Sequence, residues 1–284
     1  MGKTLFRSTH FWHFVTFEIE QYIFRWRWIL PIPVTIFIAY IVTSQVLVNS
    51  ANNKIPSNTW DVVFSVFGNG YILFFVLNVI LIYLVSDLPI ESLFGQLILI
   101  RLRSRKKWWL GKILTLALSV LMYLVVEVIV VIIVSSFVLP WQSVWSDAAL
   151  TYPLEFYLNP QAITLSPISA FLHLLVLLAL GWFSLGLATM SLTRLFNHSL
   201  AGFAFGLFLN VSGLIALKTY VPPPYVYLLV HYHFLFNLHT FSKSSLPYPT
   251  FASSVIYWVF WIVLFLFFGF VFCLPKDYIS RELA

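Results

Sequence analysis

The stretch ILTLALSVLMYLVVEVIVVIIVSSFV, residues 113–138, decides the fold. Glu127 is its one charged residue, and apolar and polar positions do not alternate along it. A membrane-spanning β-strand would alternate over segments of about 10 residues. An α-helix instead needs about 20 apolar residues to cross a hydrocarbon core of about 30 Å. The run therefore reads as a transmembrane helix. Composition agrees: 61% of the chain is apolar or aromatic and 9% is charged, against about 25% charged in a soluble domain. A surface this poor in charge faces lipid.

Five more runs have the same character, placed at about Ile29–Val48, Val62–Val85, Ile168–Leu192, Ser199–Leu217 and Val255–Leu274. Pro31 and Pro33 fall near the start of the first, where a missing N–H costs least. The expected fold is all-α: one polytopic transmembrane domain over residues 1–284, with six spans within 29–274 and a short tail at 275–284. Residues 1–28 form a tail and an interfacial helix. His10–Trp28 mixes Phe11, Trp12, Phe14, Val15, Phe17 and Ile19 with Glu18, Glu20, Arg25 and Arg27. That mixture suits rings at headgroup depth and charges toward water. Packing on neighbouring spans is the alternative. The same charges interrupt any signal-peptide core.

The net charge of +6 lies beside apolar runs, which favours a membrane surface over nucleic acid. With six spans, one side collects Lys3, Arg7, Arg25, Arg27, Arg101, Arg103, Arg105, Lys106, Lys107, Lys112, Arg194, Lys276 and Arg281, which is 13 of the 16 basic residues. Lys54, Lys218 and Lys243 are left for the other. The positive-inside rule makes the first side cytoplasmic, with both termini on it, in a cell membrane. Cys273 is the only cysteine, so no intrachain disulfide forms.

On the other side, Tyr225–Phe241 is apolar and aromatic but short for a full span, and a seventh span would break the charge rule. Re-entrant helices between spans five and six are expected there. Tyr232, Phe234 and Phe236 would line a path for a lipid-like substrate. His231, His233 and His239 form only a weak metal pattern without a carboxylate. Within the spans, Glu127 is costly in lipid, by about 2.5 kcal/mol or more. It reads either as a substrate or proton contact or as a structural hydrogen bond, with His173 as a candidate partner. Asn78 and Asn210 can cross-link helices, and Gly202-x-x-x-Gly206 offers a close helix contact. No zinc-protease, nucleophile-elbow or phosphate-loop motif occurs, so the chain is not read as an enzyme and needs no cofactor of its own.

The stretch Ser86–Lys112 orders an acidic amphipathic segment (Asp87–Leu99), a basic cluster (Arg101, Arg103, Arg105, Lys106, Lys107, Lys112) and the entry Trp-Trp-Leu-Gly-Lys. With six spans and an N-terminal interfacial helix, this layout resembles the permease subunit of type 2 ABC transporters. The resemblance implies that His10–Trp28 is the connecting helix and Asp87–Leu99 the coupling helix. Asp87, Pro89, Glu91, Phe94 and Gln96 would then sit in a groove of a separate ATPase. It implies a second contact at Thr193–His198, pairing of two copies, and ATP and Mg2+ on the two ATPase subunits rather than on this chain. The substrate class would be a peptide, antibiotic or lipid leaving the cell. A secondary transporter or channel using Glu127, and a non-transporting peptide-immunity protein, are the other readings.

Overall fold

The computed structural model describes residues 2–23, 25–90, 104–217, 230–241 and 249–273, and its described elements are helical apart from one isolated bridge, Thr240 to Thr250. The order is α1 (Gly2–Ile23), a 3-10 turn at Trp26–Ile29, then α2 (Pro31–Asn53). Next come α3 (Thr59–Gly68) and α4 (Gly70–Val85), bent by 55° where they meet. They are followed by α5 (Arg105–Ser136), α6 (Asp147–Thr151), α7 (Pro167–Phe196), α8 (Ser199–Leu217), α9 (Val230–Phe234) and α10 (Phe251–Phe268).

Among the described residues four helical stretches are long and apolar enough to cross a membrane: Trp26–Asn53, Arg105–Ser136, Pro167–Phe196 and Phe251–Phe272. The pair α3–α4 makes a fifth if its bend lies within one span. α8 is the shorter apolar helix. The stretch expected as span three begins earlier than Ile113. Ser104 caps α5, its hydroxyl accepting from the Lys107 N–H, and Arg, Lys and Trp are sufficient helix formers to carry the first two turns. The basic cluster is thus partly helix rather than turn.

α7 is the central helix and touches α4, α5, α8 and α10. From Gly181 to Ser191 every residue except Phe183 is buried. α10 is the opposite case, with Ile256, Val259, Phe260, Val263 and Phe267 all exposed. An apolar exposed face of this kind is what lipid solvates. The Gly202/Gly206 contact forms as expected: a methyl group on Gly202 would collide with Thr193 on α7, and one on Gly206 with Thr189 and Ile82.

The bend has an identifiable cause. Asn69 leaves the helical region (φ −75°, ψ 110°), and its Oδ1 caps α4 by accepting from Tyr71 N at 2.9 Å. Tyr157 inserts its backbone beside Gly68, where an added Cβ would lie 2.8 Å from Tyr157 Cβ. Tyr157 itself takes a left-handed conformation (φ 53°), and its hydroxyl accepts from Asn69 Nδ2 at 3.0 Å. Glycine at 68 is what lets the loop enter the break.

Where α3 begins, Asn58 and Asp61 form a capping box: Asn58 Oδ1 accepts from Trp60 N (3.0 Å) and Asp61 Oδ2 from Asn58 N (2.8 Å). Ser146 donates to Asp61 Oδ1 at 2.8 Å, and Trp60 Nε1 donates to Gln142 O at 2.7 Å. A buried carboxylate at a helix N-terminus is stabilised by the helix dipole and these donors. The cap end of the bundle is thereby knitted to the loop after α5.

Candidate functional site: a basic-end clasp and an intramembrane polar seam

At the basic end, α1 lies along the start of α5. Phe14, Glu18 and Tyr22 recur every fourth residue, which puts them on one helix face, and all three are buried. Phe14 seats on Gly111, where any side chain would collide with the ring. The next residue, Lys112, is fully buried and places Nζ 2.6 Å from Glu18 Oε2. Its ammonium also lies over the Tyr22 ring, 4.9 Å from the centroid. The Leu-Gly-Lys sequence therefore has a local logic: glycine admits the ring and lysine neutralises the acid beside it.

Two expectations are corrected here. Glu18 does not point to water but inward, and Lys112 is not part of the surface basic cluster. The apolar stripe of α1 carries Glu18 in with it, and a charge so buried persists only when paired. Arg105 and Lys106 are exposed and keep the surface position.

The clasp extends to the end of α4. Tyr22 O–H lies 3.0 Å from both the Asp87 and Ile90 carbonyls, to which it donates. Arg27 and Arg25 reach Asp87 Oδ2 at 2.8 and 3.2 Å. Thr193, near the end of α7, donates from Oγ1 to the Ser86 carbonyl at 2.8 Å, and the Arg194 guanidinium lies over the Trp108 ring. Residues 86–89, including buried Pro89, form a turn rather than the first turn of an amphipathic helix. Glu91, Phe94, Gln96, Arg101 and Arg103 lie outside the described residues.

Inside the bundle, polar side chains from five helices meet in a seam. Thr35 on α2 donates from Oγ1 to Glu127 Oε2 on α5. Tyr123, one turn before Glu127, donates to the Leu77 carbonyl at 2.9 Å and keeps its hydroxyl beside the Glu127 carboxyl. Trp182 Nε1 donates to Asn78 Oδ1 (2.7 Å), and Asn78 Nδ2 donates to Asn210 Oδ1 (2.7 Å). Asn210 Nδ2 donates to the Phe74 carbonyl. Within α4, Leu73–Leu77 is a π turn in which Asn78 N–H goes to Leu73 O instead of to Phe74 O. The widened turn displaces Phe74 O from its α-helical partner and presents it to Asn210, a typical use of a π-bulge.

His173 is not the partner of Glu127. Its Nδ1 donates to Ser169 O at 2.7 Å and its ring meets Phe251 edge-on. Phe234 fills the space over Gly181 against Trp258 and lines an apolar cavity with Leu185, Leu209, Trp261 and Phe265, whereas Phe236 is buried packing on Phe64 and Phe241. Tyr232 is only partly exposed.

His233 and His239 meet through a hydroxyl. His239 Nδ1–H donates to Leu235 O (2.9 Å), which leaves Nε2 to accept from Ser254 Oγ–H at 2.7 Å. Ser254 Oγ then accepts from His233 Nδ1–H at 2.7 Å. Among the described residues no three His, Cys, Asp or Glu side chains gather as a metal site. Burial pushes the His239 imidazole down to about 4, opposed by the Leu235 carbonyl and assisted by His233 and His173.

Helices able to cross a bilayer, joined by ion pairs and hydrogen bonds sheltered from water, define a polytopic α-helical membrane protein. Within that class the chain belongs to the family described as a protein of unknown function, DUF2705, which it matches over residues 32–279. No curated protein and no solved structure matches it.

Two outcomes follow from the geometry. Lys112→Met strands the Glu18 carboxylate and is expected to destabilise the protein by about 3–5 kcal/mol. Adding Glu18→Leu should restore most of the loss in thermal unfolding, and an additive double variant would contradict the pair. For His239, the unfolded chain takes up the proton first, because the folded value lies below the ordinary 6.5. The stability conferred by neutral His239 is complete above that value and is lost as pH falls toward about 4. Unfolding temperature should drop between about pH 7 and about pH 5, and His239→Gln should flatten that drop.

Proposed function

We propose that the chain is the membrane-spanning subunit of an ATP-driven exporter of the type 2 ABC class. Two copies pair in the cell membrane, each with six spans, re-entrant turns between the fifth and sixth, and both termini cytoplasmic. Each couples through residues 86–112 to a separate ATPase, with Asp87, Pro89, Glu91, Phe94 and Gln96 on the coupling surface. A hydrophobic or amphipathic compound crosses the membrane, and ATP and Mg2+ act on the partner.

The observation that carries this reading is the clasp. The turn at 86–90, the interfacial helix α1 and the start of α5 are joined by one buried ion pair, two guanidinium contacts to Asp87 and the Tyr22 hydroxyl. A push on the loop after α4 would reach α5 and α1 together, and through Thr193 it would reach α7. A cytoplasmic motor needs such a rigid attachment. An ordinary positive-inside loop does not.

One observation favours a second reading, a secondary transporter with Glu127 as its proton or ion site: Glu127 is a fully buried carboxyl with no basic side chain paired to it among the described residues. The two readings separate in one experiment. The tagged chain is solubilised from its native membrane in mild detergent, and the purified material is assayed in vesicles. The exporter reading expects a copurifying Walker-type ATPase and transport that needs ATP. Transport by the chain alone, driven by an ion gradient and abolished by Glu127→Gln, would overturn it.

A further inference from the structure

A crevice of about 110 Å³ opens near the cap end between α2, α3 and the 3-10 turn Pro153–Phe156, and its polar lining is not used by the seam or the clasp. Gln45 and Asn49, one turn apart, line it from α2. Ser65 and Asn69, also one turn apart, face them from α3 and its end, and Glu155 and Tyr157 close the third side. Gln45 and Asn49 are exposed at the mouth and Ser65 is buried at the floor, so the polar pairs grade from solvent into the crevice.

Gln45, Asn49 and Ser65 make no side-chain hydrogen bond to any described residue, although Ser65 is only 6% exposed. Asn69 is fully used, by the α4 cap and by Tyr157. Tyr157 Oη accepts from Asn69, and Glu155 forms no ion pair among the described residues. Glu155 is also the only charged residue lining the crevice. The lining therefore offers one carboxyl group among amide and hydroxyl oxygens.

We propose that this crevice binds an organic ammonium group, supplied either by a lipid headgroup or by a free amine. An ammonium brings three N–H donors and one positive charge. Glu155, the two amide oxygens and Ser65 Oγ supply acceptors for it. A divalent metal is a poorer match, because Ca2+ takes six to eight oxygens, usually with several carboxylates. A crevice of this size has room for a small polar head such as ethanolamine. Ile41 and Val48 flank Gln45 on the exposed face of α2, so an attached chain would run over apolar surface. The site stands apart from any motor and does not rest on the exporter reading.

The test uses the purified full chain in neutral detergent and in nanodiscs. Ethanolamine is titrated against ethylene glycol and calcium chloride, reading unfolding temperature. Nanodiscs containing both phosphatidylethanolamine and phosphatidylglycerol are analysed for retained lipid by native mass spectrometry. Binding is expected as a saturable rise with ethanolamine alone, or as preferential retention of phosphatidylethanolamine. The first result assigns a free amine, the second a lipid. Glu155→Gln, at an exposed position that leaves the fold intact, should weaken either by about tenfold or more, as a charge-assisted contact implies. Gln45→Leu should weaken it by a smaller factor. Equal effects from ethylene glycol or calcium, no binding of either amine, or undiminished binding by Glu155→Gln would each overturn the proposal.

Discussion

The buried ion pair between Glu18 and Lys112 sets the geometry of the whole basic end. Two charges removed from water cost several kcal/mol each, and their mutual attraction offsets this only if the contact is close and otherwise sheltered. Gly111 makes the contact close by letting Phe14 reach the α5 backbone, and the Tyr22 ring shelters the ammonium. Tyr22 then holds the Asp87 and Ile90 carbonyls, and Arg25 and Arg27 hold the Asp87 carboxylate. The path of the chain between α4 and α5 is thus fixed at its start by a helix that precedes it by more than sixty residues.

The interior obeys a related constraint. In hydrocarbon every polar group must find a partner within the protein. The bundle meets that demand by distorting α4 twice: at Asn69, where the side chain caps a new helix start, and at the π turn, which turns the Phe74 carbonyl toward Asn210. Trp182, Asn78 and Asn210 complete the chain of bonds across α4, α7 and α8. Glu127 is the carboxyl in this seam, held by Thr35, whereas Asn78 and Asn210 spend their amides on Trp182, each other and the Phe74 carbonyl.

Much of this was legible in the sequence. Apolar runs located the long helices, and the Gly202-x-x-x-Gly206 spacing located a close helix contact. The Gly68-Asn69-Gly70 triplet was visible, but whether it bends a helix depends on Tyr157, which lies far along the chain. Local composition cannot distinguish an aromatic that lines a cavity, as Phe234 does, from one that only packs, as Phe236 does against Phe64 and Phe241. Glu18 was misread for a related reason: its i, i+4 spacing with Phe14 and Tyr22 put it on the apolar face, but only the position of Lys112 shows that this face can hold a charge. The polar crevice at Gln45 and Asn49 left a faint signal, two amides one turn apart in an apolar helix. The π turn left none, since Leu-Phe-Phe-Val-Leu suits either helix type.

The central claim is that α1, the 86–90 turn and the start of α5 move as one body. Amide hydrogen exchange of residues 11–23 and 86–90, compared between the native chain and Gly111→Val, tests it most directly. The substitution ejects the Phe14 ring without touching the loop. Loss of protection in both segments together is the predicted result, and loss confined to α1 with residues 86–90 unchanged would contradict the claim.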